Sequence, residues 1–294
     1  GHRLHPDHHH AQKDAQPRVH HHTKEREQCR TMLKVLTGKE HVTFTTRCNE
    51  SIRLAMLVIA KLARHSVLFQ EEGGWLTYEK YIQQAGLNPI KMITDYGLIY
   101  ERELDRYDYD IALLINSLAG YIAAHDMASI HAHCLKNDIF LVNDVSGSIG
   151  SKEAKYGDII VGSFGKSKPV NLGTGGFIAT EDAKLMETLL ACDDDFREPE
   201  LDYSTLAHKL KHLQDRREFL LKTTRRIKND FLDMDVVHAK EDSLNVVIRF
   251  SSDEEQQRIL RYCDTHRFDY TVCPREIRIL DDAICIEVKR LHGP

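Results

Sequence analysis

The sequence predicts an α/β fold, with a mainly parallel central sheet covered by helices on both faces and a small α+β C-terminal domain. Three observations lead there. From Thr23 onward, strand-sized apolar runs alternate with helical stripes. Runs such as Ile111 to Ile115 and Ile139 to Val142 are continuously apolar, as strands buried on both faces are. Past Gly176 the pattern shifts to charged helices and short strands. The length of 294 residues holds one large and one small domain. The expected divisions are a lead-in at 1–22, a large domain at 23–231 and a small one at 232–294.

The lead-in carries His8 to His10 and His20 to His22 and reads as disordered. A zinc- or nickel-binding tract is the competing reading. Glu25 to Leu36 then predicts a helix ending near Gly38, and His41 to Thr45 a short strand. A wide apolar stripe from Ile52 to Leu62 predicts a helix over Glu50 to Leu62. Ser66 to Phe69 is strand-like, and Tyr78 to Ala85 is a helix stopped by Gly86. Ile111 to Ile115, Ile139 to Val142 and Asp158 to Val161 are strands, with a helix over Met127 to Leu135 between the first two. Glu181 to Ala191 and one long helix from Leu201 to about Phe231 follow. Beyond these come a strand at Asn245 to Phe250, a helix around Glu254 to Tyr262, and short strands near Tyr270, Ile277 to Ile279 and Ile284 to Val288.

Several function classes drop out. No apolar run approaches the roughly 20 residues that cross a bilayer, so no membrane partner is expected. The N-terminus lacks the apolar core of a secretory signal, which points to a cytoplasmic protein. With 40 Lys and Arg against 45 Asp and Glu, the chain is a poor match for nucleic acid. Seven scattered cysteines, without a CxxC pair or zinc-finger spacing, read as free thiols rather than metal ligands. His125, His131 and His133 read as solvated surface histidines.

The chemistry concentrates in Asn143 to Gly150 and in Val161 to Gly176. An aspartate, Asp144, closes an apolar strand. A second strand leads to Ser163, Lys166, Lys168 and the Gly175-Gly176 turn. In doubly wound sheets such strand ends are where ligands bind. A carboxylate there can pair with a protonated ring nitrogen, and a lysine can form a Schiff base with an aldehyde. Pyridoxal phosphate (PLP) needs both groups.

These residues resemble the PLP-dependent, fold-type-I sugar aminotransferases of the DegT/DnrJ/EryC1/StrS family. Asp144 to Gly150 is similar to the family's D-A-A-x-x-x-G segment. Lys168 precedes Gly175 and Gly176 by the family's spacing of the Schiff-base lysine, and Lys166 does not. Ser163, five residues before Lys168, matches a phosphate-contacting serine. Thr45 to Met56 resembles the segment that opens a helix onto the cofactor phosphate, with Cys48 and Asn49 at the contact positions. Trp75 falls where the family stacks an aromatic ring on the pyridine. Asn116 to Tyr121 with Asp126-Met127 resembles the family's H-L-Y-G-x … D-M. The match runs over about residues 40 to 220. Gly147 stands where many members have Gln or His, and Cys48 replaces the usual Thr or Ser.

The resemblance implies a PLP-dependent aminotransferase. Lys168 would be the Schiff-base lysine and proton carrier, and Asp144 the partner of the ring nitrogen. The amino group would pass from an amino acid donor to a keto acceptor, possibly a keto-sugar nucleotide. The resemblance also implies a homodimer with the site at its interface. Two other readings stay open at this level: a PLP-dependent lyase, desulfurase or decarboxylase, and a non-catalytic descendant acting as a binding or scaffold subunit.

Overall fold

A seven-stranded sheet dominates the computed structural model, which describes the backbone of residues 19–294 and side chains from Thr23. The metal-binding tract concerns side chains outside the described residues, and the disorder expected of 1–22 is tested only at its end, where residues 19–22 are helical because the first helix begins at Val19 rather than near Glu25. The strands are β1 (His41–Thr45), β2 (Ser66–Gln70), β3 (Asn88–Met92), β4 (Ile111–Asn116), β5 (Phe140–Asp144), β6 (Ile159–Ser163) and β7 (Gly176–Thr180). Their spatial order is β1-β7-β6-β5-β4-β2-β3. β3, β2, β4, β5 and β6 run parallel. β7 is antiparallel to both β6 and β1. Every residue of β4 and β5 is buried, as their continuous apolar sequence requires.

The early helices are α1 (Val19–Thr37), α2 (Cys48–Lys61), α3 (Tyr78–Gln84) and α4 (Met127–Asn137). The later ones are α5 (Ala183–Ala191), α6 (Tyr203–Lys211), α7 (Leu213–Asp230) and α8 (Asp253–His266). One apolar cluster joins Ile52, Met56 and Ile59 of α2 to Leu114 and Val142 of the sheet. Two others hold Leu33, Phe44 and Tyr203, and Leu113, Ile130 and Leu141. Helices therefore cover both faces, as expected.

A second sheet contains β8 (Asp235–Val236), β9 (Val246–Arg249), β10 (Tyr270–Cys273) and β11 (Ala283–Ile286), in the order β8-β9-β11-β10 and all antiparallel. Ile248, Ile284 and Ile286 pack there with Ile259 and Cys263 of α8 and Leu220 and Ile227 of α7.

The structure corrects several expected elements. β3 was not expected, because Pro89 interrupts its pattern. It is an edge strand, where a missing N–H is tolerated. Gly176–Thr180 belongs to the large sheet rather than to a new style of chain. The long helix from Leu201 is two helices broken at His212. The break sends Leu206 and Leu210 into the core around Phe44, and Leu220 and Ile227 into the core of the second sheet. Ile277 to Ile279 is a tight loop closed by bonds from Arg278 N to Arg275 O and from Arg275 N to Ile279 O. His125 is buried rather than solvated. Its Nε2 accepts from Ile99 N at 3.0 Å, and burial pushes its pKa down to about 4. His133 does have a carboxylate partner, with its Nδ1 2.9 Å from Asp105 Oδ1. All seven cysteines are free, in line with the sequence reading.

Candidate active site

The parallel strands deliver their last residues to one end of the sheet, and loops carry the remaining groups over it. β5 ends in Asp144. Its carboxylate Oδ2 accepts from Tyr78 Oη at 2.6 Å. Oδ1 accepts from Ser146 Oγ at 2.7 Å and from Ser146 N at 3.1 Å. A carboxylate offers about four lone-pair sites. Three donors therefore fix its orientation and leave room for one more. Burial, reinforced by the neighbouring Asp144, raises the Tyr78 pKa well above the usual value, so this hydroxyl stays a donor.

Lys168 lies on the loop between β6 and β7, just after Ser167, whose φ of +64° is left-handed. Its Nζ donates to Tyr121 Oη at 2.8 Å and sits 5.1 Å from the centre of the Trp75 ring. Burial opposes the ammonium. The Tyr121 oxygen and Asp144 outweigh it and hold the Lys168 pKa above the ordinary lysine value.

Four helices open with a capping side chain: Asp126 for α4, Asp182 for α5, Asp202 for α6 and Ser252 for α8. α2 opens at Arg47 with no side-chain cap, as do α3 and α7, and it is the one of these three that starts beside Ser163 and Gly176. Gly176 explains how β7 can pass close to this helix end. A β-carbon there would fall 2.7 Å from Cys48 N. Ser163 is the register partner of Gly176 across the β6–β7 ladder, which places it at the same helix end. Its hydroxyl accepts from Gly165 N at 3.0 Å.

Asn49 in the first turn of α2 ties this end to the aromatic wall. Its Oδ1 accepts from Trp75 Nε1 at 3.1 Å and from Thr77 Oγ1 at 2.9 Å. Trp75 keeps 39% of its surface exposed, unlike a core tryptophan. Cys48 is buried, with Ser146 Oγ 3.9 Å from its sulfur. Burial, reinforced by Asp144, pushes the thiol pKa well up, so it stays neutral. Asp144, Lys168, Cys48, Asn49, Trp75 and Ser163 thus gather at one end of the sheet.

A cavity of about 960 Å³ opens over Lys168 and includes Trp75, Tyr121, Arg216, Arg278 and Lys289 in its wall. Seven Lys or Arg residues line it against two Asp, so it favours anions.

Sequence reasoning missed five contributors. Tyr78 and Ser146 hold Asp144 but look like an ordinary helix start and turn residue. Tyr121 was quoted within a motif and given no role. Arg278 and Lys289 reach the cavity from the C-terminal part. The available signal was the charged pattern in Arg278 and in Glu287 to Arg290, set among otherwise apolar short strands.

Comparison with known proteins now decides the family. The family model described as the DegT/DnrJ/EryC1/StrS aminotransferase family matches residues 17–198. The chain belongs to the DegT/DnrJ/EryC1/StrS aminotransferase family. The fold-type-I architecture and the reading as an aminotransferase-family enzyme, both implied by the motifs, agree with this membership. A second model, the MJ1341 family C-terminal domain, matches residues 215–293.

Among solved structures, PseC of Helicobacter pylori, an aminotransferase of pseudoaminic acid biosynthesis, is 16% identical with a TM-score of 0.70. That match covers 90% of this chain and 85% of PseC. A DegT DnrJ EryC1 StrS aminotransferase from Brucella abortus is 15% identical with a TM-score of 0.69, over 90% of this chain and 84% of that one. Serine palmitoyltransferase from S. paucimobilis is 14% identical with a TM-score of 0.66, over 92% of this chain and 73% of that one. At these identities the structures speak for the fold. No curated protein sequence matches this chain. Among the described residues no helix is long and apolar enough to cross a membrane.

Proposed function

We propose that this chain is a PLP-dependent aminotransferase that moves an amino group from an amino acid donor to an anionic keto acceptor, with a keto-sugar nucleotide as the candidate acceptor. The observation that carries this reading is the convergence of Lys168 and the oriented carboxylate of Asp144 on one strand-end site beside an uncapped helix start. The donor set fits the cofactor. Asp144 has one lone-pair site left for a ring N–H. The N–H groups at the start of α2, next to the close-approach glycine Gly176, suit a phosphate, with Ser163 beside them.

Pyridoxal phosphate, when bound, supplies an aldehyde that exchanges between amines and a ring that draws electrons from the substrate's α-carbon. Lys168 supplies the amine that holds the aldehyde between turnovers. Its Nζ would also carry the proton that leaves the α-carbon. Asp144 keeps a proton on the ring nitrogen. Trp75 covers one face of the site and limits the approach of water. The basic cavity over Lys168 suits an acceptor bearing phosphate or carboxylate.

In this reading, residues 23–231 form the cofactor-binding unit and 232–294 a small domain that completes the cavity wall. The chain works as a cytoplasmic homodimer, with neither nucleic acid nor membrane as a partner. Light scattering at micromolar concentration should return a dimer mass, and a monomer alone would remove that part.

Absorption spectroscopy tests the central claim. The wild-type chain should take up pyridoxal phosphate and turn yellow, and L-glutamate should bleach it. Lys168→Ala should stay colourless after dialysis. A wild-type chain that never retains the cofactor ends the proposal.

A further inference from the structure

Lys289 is the unusual charge in this molecule. It follows β11 and is only 5% exposed. Its Nζ donates to Ser167 O at 3.2 Å and stands 4.7 Å from the centre of the Tyr121 ring. Lys168 Nζ stands 5.1 Å from the same ring centre. The two ammonium groups thus share one aromatic ring, and Lys289 touches the residue that precedes Lys168.

The nearby carboxylate is already committed. Glu287 Oε1 accepts from Thr271 Oγ1 at 2.7 Å and from Arg278 Nε at 3.0 Å. Its Oε2 accepts from Asn245 Nδ2 at 2.5 Å and from Arg278 Nη2 at 3.1 Å. Arg290 adds a cation 3.7 Å from Oε1. Among the described residues Lys289 has no carboxylate within ion-pair distance, and Ser167 O is the acceptor that its three N–H groups find. A buried ammonium with spare donors in a cavity wall lacks its counter-ion.

We infer that Lys289 is the receptor for an oxyanion of the substrate, a carboxylate or a phosphate group, bound beside Lys168 at the floor of the basic cavity. This rests on the reading of Lys168 as the reacting lysine. The contact with Ser167 sets the scale. An anion held by Lys289 lies one residue from the Lys168 loop position, so it belongs to the molecule whose amine or carbonyl approaches Nζ. Arg278 cannot do this alone, because Glu287 occupies its guanidinium.

The site is proton-linked. The charged and titratable groups facing Lys289 are Glu287 and Arg290 on its own segment, Arg278 on the loop before β11, Lys168 on the lysine loop, Tyr121, and Arg216 on α7, whose Nη2 donates to Lys289 O at 3.2 Å. Burial, with the cations Arg278, Lys168 and Arg290 added, outweighs Glu287 and pushes the Lys289 pKa down to about 7. An arriving anion favours the charged form. Binding above pH 7 therefore takes up a proton, and affinity falls by about ten-fold between pH 6 and pH 8.

Isothermal titration of the chain, with and without pyridoxal phosphate, tests this with two probes: glutarate for a carboxylate source and sulfate for a phosphate source. Sulfate does not titrate in this range, and glutarate is fully ionised at pH 8, where proton uptake is read. The wild type should bind at least one of them with proton uptake at pH 8, seen as heats that differ between buffers of different ionisation enthalpy. Lys289→Met should lose that proton-linked component by ten-fold or more. Lys289→Arg should keep binding and take up no proton, because a guanidinium stays charged. Preference for glutarate assigns the carboxylate, and preference for sulfate assigns the phosphate. Equal binding by wild type and Lys289→Met, or wild-type binding without proton uptake, overturns the inference. Failure to retain pyridoxal phosphate would remove the proposed function while leaving this titration readable, so the two failures are separate.

Discussion

The ring of Tyr121 occupies the space that a side chain at position 147 would need. A β-carbon on Gly147 would fall 2.7 Å from Tyr121 Cε1. The glycine therefore admits the ring, and the ring delivers its hydroxyl to Lys168. Gly147→Ala should push Tyr121 away and cost about 1–3 kcal/mol through overpacking. Urea denaturation measures the loss. Retained wild-type stability would mean that the ring has room to move.

Tyr121→Phe removes the oxygen that supports the Lys168 ammonium. The lysine pKa should fall, because burial then acts with less opposition. Capture of an aldehyde needs the neutral amine. The pH–rate profile for pyridoxal phosphate uptake should therefore move to lower pH, as followed by stopped-flow absorbance. A profile that stays in place would show that Tyr121 does not set the proton affinity of Lys168.

Asp144→Asn keeps the shape of the carboxylate and removes its charge. Cofactor-dependent turnover should fall by about 10²–10⁴-fold, the range of a lost acid–base partner. Tyr78→Phe should cost less, because Ser146 still holds Oδ1. If Asp144→Asn turns over at the wild-type rate, the ring-nitrogen role fails.

The buried Arg278–Glu287 pair should behave as such pairs do when broken. Arg278→Met strands the carboxylate and should cost about 3–5 kcal/mol, whereas a double apolar replacement should cost much less. Burial raises the Glu287 pKa, but Arg278 and Lys289 outweigh it and hold the value below the usual carboxylate range. A carboxylate depressed in the folded chain stabilises it above the unfolded pKa, and the contribution is lost as pH falls through the folded value. Denaturation midpoints should thus drop on the acid side of about pH 4.5, the ordinary glutamate value. The slope there should flatten in the double variant.

His125 is the opposite case. Its folded pKa of about 4 lies below the unfolded value near 6.5, so the unfolded chain binds more protons between these values. Stability should fall as pH is lowered from 6.5 to 4, with a loss of roughly 3 kcal/mol attributable to this ring. His125→Gln should remove that slope in equilibrium denaturation, and an unchanged slope would assign it elsewhere.

Much of the large sheet and its site was legible in the sequence. Continuous apolar strands report burial on both faces, and Asp144 and Lys168 stand at readable distances from strand ends and a glycine pair. What was not legible depends on contacts distant along the chain. Tyr78 reaches Asp144 across 66 residues. Lys289 reaches Ser167 across 122. β3 was hidden because Pro89 breaks the strand pattern, although an edge tolerates it. His125 was misread because it was grouped with the helix histidines, whereas it stands before α4, where Ile99 N and Ser117 O close around the buried ring.

The segment after β2 is pinned to the C-terminal part of the chain. Gly73 N donates to Glu276 O at 2.7 Å, and Leu280 N donates to Glu72 Oε2 at 2.6 Å. That segment leads into Trp75, and the loop it grips presents Arg278. The aromatic wall and the basic wall are thus two ends of one clasp. On the C-terminal side both bonds use backbone groups, Glu276 O and Leu280 N, so a chimera with a foreign C-terminal part keeps the clasp only if its loop follows the same path. These two stretches, some two hundred residues apart in sequence, are coupled through loop length and backbone path, which an exchange of either has to preserve.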